Sequence, residues 1–218
     1  MTNVSAAAIA RQAETTSQVP RFLALGDSYT IGEAVGERER WPMQLVAQLR
    51  AGGTPVGDPE IIATTGWTTT ELTAGIAARD AKGPYAFVTL LIGVNNQYRG
   101  RPRDQYRAEL RGLLQQGIGF AGGDPTRVIV VSIPDWGITP FAQGKDAAGI
   151  GQAIDRFNAI GREEATAAGA AFVDITPTSR ERRPDWEASD GLHPSGAQYA
   201  AWTRLILPEA ARLLRRRR

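Results

Sequence analysis

Three residues of this 218-residue chain could together activate a hydroxyl group for attack on an ester. Ser28 follows Gly26 and Asp27 in a segment with the composition of a tight turn. His193 is the only histidine in the sequence, and Asp190 precedes it by three positions. Nucleophilic catalysis by serine needs a base that takes the hydroxyl proton and a carboxylate that orients this base. Ser28, His193 and Asp190 are therefore the candidate catalytic residues.

The same chemistry needs hydrogen-bond donors for the negative charge that develops on the substrate oxygen. The candidates are the backbone N–H groups of Ser28 and Gly66 and the side-chain amide of Asn95. A donor of this kind typically contributes about 10²–10³ to turnover. The predicted oxyanion hole thus consists of Ser28, Gly66 and Asn95.

The composition excludes several other kinds of site. The chain has no cysteine, which excludes a disulfide framework, a thiolate zinc site and a cysteine nucleophile. One histidine cannot supply two imidazole ligands, and the acidic residues form no cluster in the sequence, so we expect neither a metal nor a cofactor. Residues 117–122 spell the dinucleotide fingerprint GxGxxG, but they follow a predicted helix and are interpreted as its end and a loop.

The excess of positive charge resides in the last four residues. Lysine and arginine number 25 against 23 acidic residues; without the arginines at 215–218, 21 cations face 23 acids. This balance, without a basic patch that contains aromatic residues, argues against a nucleic-acid partner. We interpret 1–20 as an N-terminal extension, 21–214 as one catalytic domain and 215–218 as a basic tail.

Short apolar runs alternate with helical patterns along the whole chain. The runs predicted as strands are 21–25, 60–63, 85–92, 127–133 and 171–175. The segments with helical spacing are 42–50, 68–78, 102–116, 150–161 and 195–214. Repeated strand–helix units predict an α/β fold with a mostly parallel sheet covered by helices on both faces. The candidate residues follow the strands, and in such sheets ligands bind at the carboxyl ends of the strands.

These segments together resemble the SGNH hydrolases, also called the GDSL-type esterases and lipases. The blocks that carry the resemblance are Gly26-Asp27-Ser28-Tyr29, Gly66, Gly93-Val94-Asn95 and Asp190-Gly191-Leu192-His193. The resemblance implies a flavodoxin-like, three-layer α/β/α sandwich with a five-stranded parallel sheet, a Ser–His–Asp triad and no metal. Tyr29 stands where the family name has leucine, and Asn96 stands where the family often has aspartate.

The predicted activity is hydrolysis of carboxylic esters through an acyl-enzyme intermediate. The substrate pocket is predicted to include Tyr29, Trp67, Asn96, Tyr98 and Trp136. The alternatives are removal of O-acetyl groups from carbohydrates, lysophospholipid or thioester hydrolysis, and a catalytically silent module that binds a glycan or lipid. Arg99 and Arg101 are interpreted as exposed side chains near the next helix rather than as a site for an anionic substrate.

The partner is predicted to be a small ester, without stable insertion into a membrane. No run of 18 apolar residues is present, and the N-terminus lacks the positive charges and long apolar run of a signal peptide. A cytoplasmic location is therefore expected.

Overall fold

The computed structural model describes residues 19–215, so most of the predicted N-terminal extension and three of the four tail arginines lie outside the described residues. Five strands form one parallel sheet in the order β2-β1-β3-β4-β5. The strands are β1 (Phe22–Gly26), β2 (Pro59–Ala63), β3 (Phe87–Leu91), β4 (Val128–Val131) and β5 (Ala171–Val173). This order is that of a flavodoxin-like sheet, and the predicted fold class is confirmed.

Two groups of helices pack in separate layers. The helices of the described residues are α1 (Ser28–Ile31), α2 (Trp41–Ala51), α3 (Thr69–Ala78), α4 (Val94–Tyr98), α5 (Arg103–Phe120), α6 (Ala147–Ala168), α7 (Thr176–Ser179) and α8 (Gly196–Arg215). Helix α2 packs on α8, whereas α5 packs on both α3 and α6. None of these helices combines the length and the apolar character that crossing a membrane requires.

The two central strands carry the core. Every residue of β1 and of β3 is buried, which explains why both segments are nearly continuous apolar runs. Phe22 and Phe87 stack across the pair, with ring centroids 4.2 Å apart. Because β1 and β3 are adjacent, the segments that follow them, at Ser28 and Asn95, emerge side by side at one edge of the sheet.

Local signals located the helix starts more accurately than the helix ends. A capping box begins α3, since the Glu71 carboxylate accepts a hydrogen bond from Thr68 N–H at 2.7 Å. Helix α5, by contrast, continues to Phe120. The glycine-rich stretch 117–122 was predicted to end this helix and form a loop, which was wrong for residues 117–120. A Cβ on Gly117 would lie 3.7 Å from Val88, an ordinary van der Waals distance, so packing against the sheet does not require glycine at this position.

Candidate active site

A sharp turn between β1 and α1 presents Ser28. The strand ends at Gly26, and the Asp27 carboxylate caps the helix by accepting a hydrogen bond from Tyr29 N–H at 3.0 Å. A Cβ on Gly26 would lie 2.2 Å from Thr30 Oγ1, so a larger residue would force the turn apart. Ser28 is thereby held as the first residue of α1.

The Asp190 carboxylate organises the turn that carries His193. Its Oδ1 accepts hydrogen bonds from the backbone N–H groups of Leu192 (3.0 Å) and His193 (2.9 Å). Its Oδ2 lies 2.6 Å from His193 Nδ1. Gly191 adopts a φ of 68°, which favours glycine and lets the chain close this turn. The spacing of three residues therefore serves a local contact, which leaves Nε2 as the ring nitrogen that can accept a proton.

The charge state of Asp190 suits this contact. Partial burial raises the pKa of the carboxyl group, but the hydrogen bonds from the His193 ring and from the two backbone N–H groups outweigh this effect. The net result is a pKa of Asp190 below its ordinary value. The carboxylate is therefore ionised at neutral pH and favours the His193 tautomer that carries its proton on Nδ1.

One pocket joins Ser28 to His193 at the edge of the sheet. Its volume is about 130 Å³. It is lined by Ser28, Tyr29, Val94, Asn95, Tyr98, Trp136, Phe141, Leu192 and His193. The Tyr29 ring lies 5.3 Å from the His193 ring between centroids. Six of the sequence-predicted site residues therefore line this pocket: Ser28, Tyr29, Asn95, Tyr98, Trp136 and His193. Asp190 lies next to the pocket, against His193 Nδ1.

Asn95 is oriented by a backbone carbonyl. Its Nδ2 donates a hydrogen bond to the Trp67 carbonyl at 2.9 Å. A carbonyl can only accept, so the amide nitrogen must point toward this group, and its second hydrogen remains available to another acceptor. Gly66, with a φ of 84°, precedes Trp67 and lies outside the pocket lining.

Arg99 holds the Gly66 loop, a role that the sequence analysis did not predict. Its guanidinium group donates to the Gly66 carbonyl at 2.5 Å and to both Glu71 carboxylate oxygens at 3.2 Å. The loop before α3 is thereby tied to the end of α4. No pattern near Arg99 in the sequence indicates a partner 28 positions away.

Two residues predicted for the substrate pocket lie elsewhere. The Trp67 indole packs on α3, where a Cβ on Gly75 would lie 2.1 Å from it. Asn96 is 2% exposed; it donates through Nδ2 to Thr69 Oγ1 at 2.6 Å and accepts from Thr69 N–H at 3.1 Å. These two hydrogen bonds hold Asn96 on Thr69 and away from the pocket that Asn95 lines.

Three residues of the pocket lining were not predicted, because their hydrophobic side chains carry no chemical signal in the sequence. They are Val94, Phe141 and Leu192. Phe141 lies in a short 3₁₀ turn, Pro140–Ala142, and its N–H donates to the Gly191 carbonyl at 2.9 Å. The Phe141 ring remains 43% exposed, an unusual state for a phenylalanine that only the structure reveals.

Among residues 19–215, no three His, Cys, Asp or Glu side chains are grouped closely enough to hold a metal ion. The polar groups that face Ser28 and His193 are hydrogen-bond donors and acceptors of the protein itself. The arrangement is therefore suited to proton transfer and nucleophilic attack.

Asp27 is a buried carboxyl group directly behind Ser28. Complete burial raises its pKa to about 7, although backbone hydrogen bonds partly oppose this effect. Its Oδ2 has no hydrogen-bond partner within the described part of the chain. The folded protein therefore holds a proton on Asp27 at pH values where the unfolded chain has released it.

Replacement of Asp27 by asparagine should flatten the dependence of stability on pH. An unfolded aspartate has a pKa near 4, so the free energy of unfolding of the wild type should fall between about pH 4 and pH 7. This fall is the contribution of Asp27 alone, on the order of a few kcal/mol, and Asp27→Asn should remove it from the pH profile. Urea denaturation at several pH values measures it, with the exposed Asp80→Asn as control. Equal pH profiles for wild type and Asp27→Asn would contradict the assignment.

Comparison with known proteins identifies one family. The model of the GDSL-like Lipase/Acylhydrolase family matches residues 24–201. A search of curated proteins finds no match.

Solved structures with the same fold are numerous and distant in sequence. TesA superposes with a TM-score of 0.68 at 18% identity, covering 88% of this chain and 99% of TesA. An acetylxylan esterase from Geobacillus stearothermophilus, Axe2, gives 0.68 at 19% identity, covering 88% and 94%. The psychrotrophic esterase EstA from Pseudoalteromonas sp. gives 0.64 at 15% identity, covering 89% and 98%. At these identities the likeness establishes the fold.

Proposed function

Because the chain belongs to the GDSL-like lipase/acylhydrolase family, we propose that it hydrolyses carboxylic esters through a serine-linked acyl intermediate. The observation that carries this proposal is the oriented imidazole. Asp190 Oδ2 lies 2.6 Å from His193 Nδ1, and His193 lines the same pocket as Ser28. A serine, a base and a carboxylate that orients the base are the parts that this chemistry needs.

The reaction uses each group in turn. His193 Nε2 takes the proton of Ser28 as Oγ attacks the carbonyl carbon, and the resulting tetrahedral oxyanion accepts hydrogen bonds from Ser28 N–H, Gly66 N–H and Asn95 Nδ2. Collapse of this intermediate breaks the bond to the alcohol, which leaves with the proton from His193. Water then attacks the acyl carbon and gives a proton to His193 Nε2. Collapse of this second intermediate breaks the bond to Ser28 Oγ, which takes the proton back from His193, and the acid is released.

The size of the pocket supports a short acyl group. A volume of about 130 Å³ lies well below the roughly 300–1,000 Å³ of pockets that bind drug-sized ligands. Such a space favours a short acyl group over a long one. Its aromatic wall consists of Tyr98, Trp136 and Phe141, with the Tyr98 and Trp136 rings 5.2 Å apart between centroids. Tyr98 is 53% exposed, so this wall forms the mouth of the pocket, where the alcohol part of the ester would leave.

Covalent labelling tests the proposal against a silent binding module. A fluorophosphonate should form a stable bond to Ser28 Oγ with loss of fluoride, and peptide mapping by mass spectrometry should locate the label there. Asn95→Ala should slow the labelling by about 10²–10³, because one donor to the charged intermediate is lost.

The exposed Ser189, one residue before Asp190, provides a matched control. Ser189→Ala should be labelled at Ser28 at the wild-type rate. A folded wild-type protein that takes up no label, or takes it up on another residue, would contradict the esterase assignment and favour the binding module.

A further inference from the structure

A second cleft lies beside the candidate active site and is lined by three arginines. Its volume is about 350 Å³. The lining residues are Gln97, Gly100, Arg101, Arg103, Ala153, Arg156 and Phe157. No carboxylate is among them, although Arg103 and Arg156 also line the neighbouring groove, which contains Asp104 and Glu163.

These three guanidinium groups are not neutralised by the protein. Within residues 19–215, Arg101, Arg103 and Arg156 form no ion pair, whereas most other arginines of that range do. The acid next to Arg156 in the sequence does not form an ion pair with it. Asp155 binds Arg180 at 2.7 Å.

Glu109 also interacts with this cluster, but it is hydrogen-bonded elsewhere. Burial raises the pKa of Glu109, whereas hydrogen bonds from Thr69 and Gln105 and the nearby charge of Arg101 bring it below its ordinary value. Glu109 does not line the cleft. Three like charges that line one cleft repel one another, and no carboxylate of that lining opposes them, so a bound anion would stabilise the arrangement.

We propose that this three-arginine cleft binds a phosphate group on the alcohol part of the ester substrate, an assignment that rests on the proposed esterase function. The planar guanidinium group presents paired N–H donors that match phosphate oxygens, which makes arginine the preferred residue for this ligand. Arg103 is also the first residue of the 18-residue helix α5, so the N–H groups of its first turn favour an anion at the same place. Arg101 thus has a role that its sequence context did not indicate.

The cleft and the active-site pocket share helix α4. Asn95 and Tyr98 line the pocket, whereas Gln97 lines the cleft. Gln97 Oε1 also accepts a hydrogen bond from Trp136 Nε1 at 2.8 Å, and the Trp136 indole forms part of the pocket wall. The width of one helix with its side chains, about 10–12 Å, therefore separates the phosphate site from the ester.

A pair of esters of matching length tests this assignment. The monobutyrate of hexane-1,6-diol and its phosphate monoester differ only in the phosphate, which lies about one helix width from the ester. The wild type should prefer the phosphorylated ester in kcat/KM by about tenfold or more, because a charge-assisted hydrogen bond is worth a factor of that order. Arg156→Gln should reduce this preference by about tenfold, and the triple Arg→Gln variant should abolish it. All three arginines are exposed, so these variants should fold.

Arg204→Gln is the matched control, since Arg204 is exposed on α8 and, within the described part of the chain, forms no ion pair. It should keep the wild-type preference. An unchanged preference in the triple variant, or the absence of any preference in the wild type, would overturn the assignment of the cleft to the substrate.

Binding of inorganic phosphate to Ser28→Ala separates the two proposals. Phosphorus NMR should show line broadening with Ser28→Ala and its loss when the three arginines are also replaced, and this result does not depend on hydrolysis. Arginine-dependent phosphate binding without a preference for the phosphorylated ester would assign the cleft to a free phosphate ion and overturn the link to the substrate. No arginine-dependent binding at all would overturn the site itself.

Discussion

Ser28→Ala is expected to lower kcat for a short-chain nitrophenyl ester by about 10⁵–10⁶, because no other hydroxyl can take its place at the head of α1. Thermal unfolding should shift by no more than about 2 °C, since Asp27 rather than Ser28 caps the helix. Stopped-flow measurement of the wild type should also show a burst of nitrophenol that equals the enzyme concentration if deacylation is slow. Any residual activity of Ser28→Ala should show no burst.

Ser189→Ala again serves as the control and should keep wild-type turnover. The decisive comparison is between the two variants, because both remove a single serine oxygen. A Ser28→Ala protein that turns over the ester at the wild-type rate would show that the nucleophile lies elsewhere.

His193→Ala should lower kcat by a similar factor, about 10⁴–10⁶, because the chain has no second histidine to act as the base. Removal of the imidazole leaves a space beside Tyr29, whose ring lies 5.3 Å from that of His193 in the native protein. Free imidazole should enter this space and restore part of the activity. The restored rate should saturate with imidazole concentration and should grow as pH rises, because only the neutral base can accept a proton.

Asp190→Asn separates the orientation of the base from its presence. An asparagine at 190 cannot favour the same tautomer of His193, and the expected loss is about 10³–10⁴ in kcat. Free imidazole should not rescue this variant, because the native ring still occupies its place. Full activity in His193→Ala, or equal rescue of both variants, would contradict the proposed roles.

Much of the fold could be predicted because the strongest signals are local or nearly local. The strands β1 and β3 are buried on both faces, and their apolar runs reveal this directly. The capping box at Thr68 and Glu71 depends on residues three apart, as does the contact between Asp190 and His193. The alternation of strands and helices then restricts the topology to a parallel sheet.

Where the structure departs from the predicted pocket, contacts between separate segments decide the outcome. Trp67 was predicted to face the substrate because it is an aromatic residue in a loop, but it packs on Gly75. Asn96 was predicted to join Asn95 in the pocket, but α4 turns it toward Thr69. Phe141 was overlooked, since nothing near it in the sequence indicates that its turn meets Gly191.

The sequence by itself predicted the candidate reactive groups and the edge of the sheet at which they lie. A single histidine three residues after Asp190, a serine at the end of the first strand and the parallel order of strand–helix units were sufficient for that. The tertiary structure decided which side of each short helix faces the pocket, how small the pocket is and where unpaired arginines converge. These features depend on rotations of about 100° per helical residue and on contacts between distant segments, and composition and local periodicity do not encode either.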